Sequence, residues 1–494
     1  MGRKRQAPAF PDTVPVVKNL RGSIAWGSAE AFVALFTAIV VSLAAGRIIG
    51  PAAFGLGSLA FLIVSLAETI IAMPFSEALV RRRYWSVRII DAAFAGAMIA
   101  GTAVFLLLFL LAPLFADWLD EPDLTWLIRV QALTCLLLGI RGIPEAVFAR
   151  KLRFRILSRC NMTAKLVGGS LTIGLALAGF GAWCVVLGNV GFAFVAAVTM
   201  LASQSRMPRF RPHWGYTKEL TSFGVFSVTD AFLGAATPRV FNVLLGYYYG
   251  VVPVGQTSIA FRINDGVGAL LAMVTQRLAL PILSRVAHDR DRLAAMISQG
   301  SRMAFLVTGP VFVGMAFVSA DLIAVLLGPG WEGAAIALVA VNIWSLLNFS
   351  CVVWGAAVKA LGYPGRWVMV QALGLPITGI GTILLASVGL DIHWTLMLWP
   401  LFGLAYFTVG ALVLHRSGGI AYVDQFRPFM RIGLALLGMG AMLSFIDLEF
   451  EIDGIMGLAT KIVTGAAVYV TLILLLERRT VMQIVRPNAA QKAI

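Results

Sequence analysis

The amino-acid sequence predicts an all-α, polytopic membrane protein with about fourteen transmembrane helices, on three observations. Of the 494 residues, 59% are hydrophobic and only 13% are charged. Soluble domains usually contain about 45–50% apolar and about 25% charged residues, and disordered chains are more polar still. The mean hydropathy is +0.88, and long apolar runs separated by short polar connections follow one another along the whole chain.

The apolar runs have the length that a membrane-spanning helix needs. A bilayer core about 30 Å thick is crossed by about 20 mostly apolar residues. The runs lie near 23–46, 52–76, 89–115, 125–147, 162–180, 182–203, 220–247, 256–283, 303–327, 333–358, 367–389, 393–414, 429–447 and 454–476. The connections between them are short, so there is no room for a soluble catalytic or nucleotide-binding domain.

The basic residues predict which side each connection faces. Of the 39 Lys and Arg residues, 31 lie in the two terminal tails and in every second connection. The charged residues of the other connections are acidic, and these connections contain no Lys or Arg. Short cytoplasmic loops collect Lys and Arg, so both termini are expected in the cytoplasm. The same rule explains the net charge of +15, and no nucleic-acid partner is needed to account for it.

An internal repeat links the two halves of the chain. Residues 44–61 align with residues 244–261 without a gap and share six identities. An even number of spans separates the two segments, so the repeats are parallel, and transporters of this kind bind substrate between their halves. The paired glycines Gly46, Gly50, Gly246 and Gly250 are candidate gating or hinge positions, because small residues let helices approach closely.

The repeat divides the chain into predicted regions. They are a cytoplasmic tail (1–22), a six-helix lobe (23–203), a basic linker (204–219), a second six-helix lobe (220–415), two additional helices (428–476) and a cytoplasmic C-terminal tail (477–494).

Three segments resemble a known family. Residues 46–55 are Gly-Arg-Ile-Ile-Gly-Pro-Ala-Ala-Phe-Gly, residues 280–285 are Leu-Pro-Ile-Leu-Ser-Arg, and residues 328–331 are Gly-Pro-Gly-Trp. These segments resemble the first hairpin, an inner loop and an outer turn of bacterial polysaccharide transporters, the Wzx-like flippases of the multidrug/oligosaccharidyl-lipid/polysaccharide superfamily. The resemblance is greatest to the exopolysaccharide branch that serves succinoglycan or colanic acid.

The resemblance implies a function and a location. It implies two six-helix lobes around a central cationic cavity, and export of undecaprenyl-pyrophosphate-linked oligosaccharide repeat units across the bacterial cytoplasmic (inner) membrane. Its candidate partners are this lipid-linked substrate, the lipid bilayer, a polysaccharide polymerase and a chain-length regulator, with the chain itself expected to be a monomer. A cation-coupled drug or metabolite antiporter of the same superfamily and a membrane enzyme acting on lipid-linked sugars are the alternatives.

Charged side chains at span depth are costly and are candidates for function by default. They are Glu30, Arg47, Glu68, Glu77, Arg129, Arg141, Glu145, Lys165, Asp230, Arg239, Arg262, Asp265, Arg277 and Lys461. Among the cations, Arg239, Arg262 and Lys165 lie deepest and are the candidate pyrophosphate ligands, because an arginine fork binds phosphate with two hydrogen bonds. Deep arginines also disfavour the antiporter. Among the acids, Glu30, Asp230 and Asp265 are candidates for ion coupling.

Several of these residues have a structural interpretation as an alternative to a functional one. Arg262 and Asp265 are three residues apart on one helix and are expected either to pair or to bind. For Arg141, Glu145 and Arg277, ion pairs are an equal alternative, and Arg47, Arg129 and Lys461 lie near span ends, where long side chains reach for water. The tyrosines 247–249 favour interface anchoring over sugar stacking.

The sequence contains no motif for nucleotide binding, metal binding or a disulfide framework. No lysine follows a glycine, so a Walker A loop is absent. The four cysteines share no short spacing, which predicts no metal site and no disulfide framework. We therefore expect no catalytic residues, no cofactor and no metal.

Overall fold

Within the described residues, the apolar runs predicted from the sequence lie largely on helices in the computed structural model, and the first two share one kinked helix. The structure describes residues 20–81, 86–204, 206–213, 225–286, 289–449 and 454–477, and this part of the chain contains helices and no strands. The helices of the first half are α1 Leu20–Arg81, α2 Val87–Trp118, α3 Leu124–Gln131, α4 Leu133–Arg150, α5 Phe154–Leu177, α6 Trp183–Ala202 and α7 Val225–Tyr249. The all-α fold is therefore confirmed.

The second half continues in the same way. Its helices are α8 Val251–Val286, α9 Arg290–Phe317, α10 Ser319–Leu326, α11 Glu332–Ser350, α12 Val352–Ala360, α13 Pro364–Ala372, α14 Gly381–Ser387, α15 Ile392–Leu396, α16 Leu398–Gly418, α17 Tyr422–Glu449 and α18 Gly454–Leu476. A π-helical turn, Leu375–Ile380, joins α13 to α14. It contains Pro376, which has no backbone N–H for a regular helical hydrogen bond.

The length and apolar character of the helices identify a multi-pass membrane protein. Within the described residues, ten segments are long and apolar enough to cross a membrane. The first of them, Trp26–Thr69, contains parts of two predicted spans, because α1 runs through a kink. The count of fourteen spans is compatible with the helices, although length and composition do not establish it.

Glycines at equivalent repeat positions lie in the first hairpin of each half. Gly50 breaks α1 with φ 77° and ψ 171°, and Gly250 lies between α7 and α8 with φ 83°. Side chains other than glycine rarely adopt this left-handed region. Both glycines therefore let the chain reverse direction within about one residue.

The chain divides into two compact units, Met1–Ser258 and Ile259–Ile494. In the first unit α1 packs against α4, α5 and α7, and α5 packs along α6. Small residues bring α2 and α4 close together, since a Cβ added at Gly139 would lie 2.8 Å from the carbonyl oxygen of Ala97. The predicted lobe boundaries at 203 and 220 remain a prediction.

The second unit has an apolar and aromatic core. Helix α9 packs against α11 and α17, and α17 packs along α18. One cluster of buried residues joins α9, α17 and α18: Phe305, Ile432, Ala435, Leu436, Met439, Leu443, Tyr469 and Ile473. The last two helices are therefore part of this core.

Two ion clusters hold the last two helices. In the Lys461 cluster, the Lys461 ammonium of α18 binds Asp321 of α10 and Asp447 of α17. In the Glu477 cluster, the Glu477 carboxylate at the end of α18 lies 3.8 Å from Arg302 of α9 and 3.7 Å from Arg431 of α17. The expectation that Lys461 reaches for water is wrong: its side chain is only 9% exposed, because two carboxylates bind the ammonium.

Candidate functional site

Arg239 lies on α7 and reaches the polar surface of α1. Its Nε donates a hydrogen bond to Ser65 Oγ at 2.8 Å, and one terminal nitrogen donates to the carbonyl oxygen of Ala235, one turn earlier on α7, at 2.6 Å. The side chain is half-buried, and its guanidinium lies between α7 and α1.

Glu68 lies on α1, three residues after Ser65, so the two side chains share one helix face. Its carboxylate accepts a hydrogen bond from the hydroxyl of Thr134 on α4. The positive charges of Arg141 and Arg239 both act on this carboxylate. We call Ser65, Glu68, Thr134, Arg141 and Arg239 the Glu68 network; it joins α1, α4 and α7 within the first unit.

A second polar group in the same unit surrounds Glu30, near the start of α1. Ser158 and Asn161 of α5 each donate a hydrogen bond of 2.7 Å to the Glu30 carboxylate. Lys165, one turn further along α5, experiences the charge of Glu30 and also that of Arg141. The structure thus brings Glu30 and Lys165 together, and Arg141 links them electrostatically to the Glu68 network.

Arg141 also has a partner on its own helix. Its guanidinium lies 3.7 Å from Glu145, one turn later, and 5.4 Å from the centre of the Phe192 ring. The alternative that Arg141 and Glu145 form an ion pair is confirmed. The pair is loose, and about 20% of the Arg141 side chain and 39% of the Glu145 side chain remain exposed.

The other candidate cation, Arg262, lies on α8 in the second unit. The negative charge of Asp265, three residues later, acts on it. Between them, Asn264 donates to Asn342 of α11 at 2.8 Å and accepts from Ser345 at 2.7 Å. These bonds fix α8 against α11, so the backbone that carries Arg262 and Asp265 is held in place. The side chain of Asp230, the remaining acidic candidate, lies outside the described residues.

The candidate glycines have two different roles. A Cβ added at Gly50 or Gly250 would meet nothing within 4 Å, so those glycines serve the turn conformation. At Gly246 a Cβ would lie 3.1 Å from a methyl group of Leu59, which is a tight contact with a flexible side chain. The gating role of Gly46 and of the other three glycines remains a prediction.

The closest helix approach lies five residues beyond Gly50 and Gly250. A Cβ added at Gly55 would lie 1.9 Å from the carbonyl oxygen of Val251, and one added at Gly255 would lie 2.1 Å from that of Pro51. The contact is reciprocal under the offset of 200 residues, in agreement with the predicted repeat. The alignment already paired Gly55 with Gly255, but nothing in the sequence indicated that their backbones touch.

Two further features bear on the substrate. Tyr247 stacks on Trp118 with ring centres 4.7 Å apart and keeps 44% of its surface exposed, which agrees with an anchoring role. In the second unit a groove of about 790 Å³ is lined by apolar and aromatic side chains, among them Phe305, Phe407 and Phe429. No charged residue lines this groove, so it cannot be the binding site of a pyrophosphate.

Comparisons with known proteins identify the family. A family of polysaccharide biosynthesis proteins matches residues 44–336. The chain is 21% identical over 460 residues to the succinoglycan biosynthesis transport protein ExoT of Rhizobium meliloti (strain 1021), covering 90% of this chain and 91% of ExoT. It is 20% identical over 436 residues to the teichuronic acid biosynthesis protein TuaB of Bacillus subtilis (strain 168), covering 85% of this chain and 88% of TuaB.

A solved structure shows the same fold. The lipid II flippase MurJ, in an inward closed conformation, superimposes with a TM-score of 0.75 at 13% identity. The match covers 93% of this chain and all of MurJ. At this identity the likeness establishes the fold, and it carries no residue role from MurJ to this chain.

Proposed function

Because the chain belongs to the polysaccharide biosynthesis protein family, we propose that it is a flippase for oligosaccharide repeat units linked to undecaprenyl pyrophosphate. The observation that carries this proposal is the position of Arg239, a cation at span depth whose guanidinium contacts polar groups on a neighbouring helix. A pyrophosphate is a doubly charged anion that needs such donors in a membrane. ExoT is a succinoglycan biosynthesis transport protein and MurJ is a lipid II flippase, which supports the same class of cargo.

In this proposal Arg239, Arg262 and Lys165 bind the pyrophosphate, and the two halves of the chain alternate in opening to either side of the cytoplasmic membrane. Both termini face the cytoplasm, as the distribution of Lys and Arg indicates. Two negative charges moving outward gain at most about 4–5 kcal/mol per 100 mV of inside-negative potential. Glu30, Asp230 and Asp265 are the groups through which an inward ion could contribute further energy.

The experiment that tests the proposal replaces Arg239. Purified protein in nanodiscs binds radiolabelled undecaprenyl pyrophosphate, and the Arg239→Ala variant should bind it about 10- to 100-fold more weakly, since hydrogen bonds to charged groups contribute about 1.5–3 kcal/mol. The Arg239→Lys variant should recover only part of this affinity, because an ammonium cannot make the bidentate contact. Polymer export in cells should fall in the same order.

The matched control is Arg292→Ala. Arg292 is 79% exposed and pairs with Asp289 at the start of α9, so its loss removes an equal charge from a solvated position. This variant should bind and export as the wild type does. Wild-type affinity in a stably folded Arg239→Ala protein would show that the cationic site is wrongly placed.

A further inference from the structure

The Glu68 carboxylate is close to a cation that the proposed substrate would also bind. Glu68 experiences the charges of both Arg141 and Arg239. The Arg239 guanidinium is held one helical turn away, on Ser65 of the same face of α1. A carboxylate and a pyrophosphate are both anions with oxygen acceptors, so they compete for the same N–H donors.

The hydroxyl of Thr134 is the hydrogen-bond partner that holds Glu68. It lies within hydrogen-bond distance of the Glu68 carboxylate and, at 2.8 Å, of the carbonyl oxygen of Gln131. A hydroxyl has one proton and two lone pairs, so it can donate to Glu68 or to Gln131, and in the second case it can accept from a protonated Glu68. Thr134 is only 5% exposed, so water does not replace it easily.

The charged and titratable groups that act on Glu68 come from two elements of the described structure. Helix α4 contributes Arg141 and the thiol of Cys135, and α7 contributes Arg239. Both charged groups are cations, and no second carboxylate is among the groups that act on Glu68 in the described part of the chain. Glu68 is therefore a negative charge beside two cations.

We propose that Glu68, held by Thr134, is a resident counter-charge of Arg239 that competes with the substrate pyrophosphate. Glu68 is on this view a positioning residue: it stabilises Arg239 electrostatically in the empty protein and lowers the affinity for the anion, so that the anion can be released. Thr134 fixes the carboxylate against α4, so that it acts on Arg239 without pairing with it directly. This inference rests on the proposed pyrophosphate role of Arg239.

The test uses the same binding measurement in nanodiscs, with undecaprenyl pyrophosphate as the probe. Glu68→Gln removes the competing charge and should tighten binding about tenfold, as expected from losing one nearby like charge. Thr134→Val removes the hydrogen bond that holds Glu68 and should weaken binding about threefold, because the released carboxylate can then pair with Arg239 directly. Two variants of one contact pair are thus expected to change affinity in opposite directions.

Two controls separate this role from a structural one. In an Arg239→Ala background, Glu68→Gln should produce no tightening, because the competition is for Arg239. Asp289→Asn removes a carboxylate of α9 while keeping an N-cap side chain, and should leave affinity unchanged. A merely structural Glu68 would lower the thermal stability of the Glu68→Gln protein and would not tighten binding.

The outcomes distinguish the two proposals. Unchanged binding in Arg239→Ala means that the proposed pyrophosphate site has failed. If Arg239→Ala weakens binding while Glu68→Gln binds equally or more weakly than the wild type, the site is supported and the counter-charge role is overturned.

Discussion

The Glu68 network and the Lys461 cluster both place charged side chains in apolar helices, but the two charges differ in how they are buried and bound. Glu68 is half-buried, and the groups around it offer more than one arrangement of hydrogen bonds. Lys461 is 9% exposed and bound to two carboxylates from two other helices. A charge whose partners can be exchanged is suited to binding, whereas a charge enclosed by opposite charges fixes helices in place.

The Glu477 cluster extends this comparison. It reverses the signs of the Lys461 cluster, with one carboxylate between two arginines, and it joins α18 to α9 and α17. Each end of α18 is therefore tied to α17 and to one element of the α9–α10 segment. The last two helices are thus a fixed part of the second unit.

The largest expected effect comes from moving α1, which carries Ser65 and Glu68. Gly55→Ala places a Cβ 1.9 Å from a backbone oxygen of Val251, so the helices must separate. We expect the free energy of unfolding to fall by about 4 kcal/mol or more. This loss exceeds the cost of ordinary overpacking, because the backbone itself must move. The measurement is the yield of monodisperse protein in detergent, together with unfolding by SDS titration.

The matched control for this variant is Gly50→Ala. Gly50 has φ 77° and open space around its Cβ position, so only the strain of the left-handed conformation applies, about 1–2 kcal/mol. Equal stability losses in the two variants would contradict the importance of the α1–α8 crossing.

An intermediate effect is expected at the Lys461 cluster. Lys461→Ala leaves Asp321 and Asp447 without their ammonium, and the free energy of unfolding should fall by about 2 kcal/mol, less than for a fully buried pair because both aspartates are partly exposed. The triple variant Lys461→Met, Asp321→Asn, Asp447→Asn should recover most of this loss, since it leaves no unpaired charge.

The Glu477 cluster provides a comparison for the stability loss at Lys461. Glu477→Gln should cost less, about 1 kcal/mol or below, because the side chain of Arg431 is 65% exposed and can turn to water. By contrast, Glu68→Gln should leave the unfolding free energy within about 1 kcal/mol of the wild type while changing affinity. A large stability loss in Glu68→Gln would remove the distinction between the two regions.

A similarly small effect is expected at the stacked pair of Tyr247 and Trp118. Tyr247→Leu should lower the free energy of unfolding by about 0.5–1.5 kcal/mol, the value of an aromatic pair. Polymer export should remain at the wild-type level if Tyr247 is an anchor, with Phe180→Leu as an exposed aromatic control. Loss of export in a stable Tyr247→Leu protein would instead indicate sugar stacking.

Much of the fold could be predicted from the sequence, because span length, apolar composition and the turn glycines are local properties. The run at 454–476 coincides with α18, and Gly50 lies at the kink of α1. For the candidate site, the sequence predicted which charged residues lie at span depth, but it did not predict which of them contact one another. Glu68 was visible as a charge at span depth, but its partners Thr134 and Arg239 lie 66 and 171 positions away in the sequence, so no local pattern could join them.

The sequence by itself determined that this chain is a helical membrane protein, where its apolar segments lie, and which family it resembles, since burial in lipid requires long apolar helices with internally satisfied backbones. Only the tertiary structure decided which charge serves which purpose. Lys461 and Arg239 are both cations in apolar helices, yet one is enclosed by Asp321 and Asp447 and the other touches Ser65 close to Glu68. That difference depends on which helices pack together, and a charge in a low-dielectric environment is governed by its nearest partners.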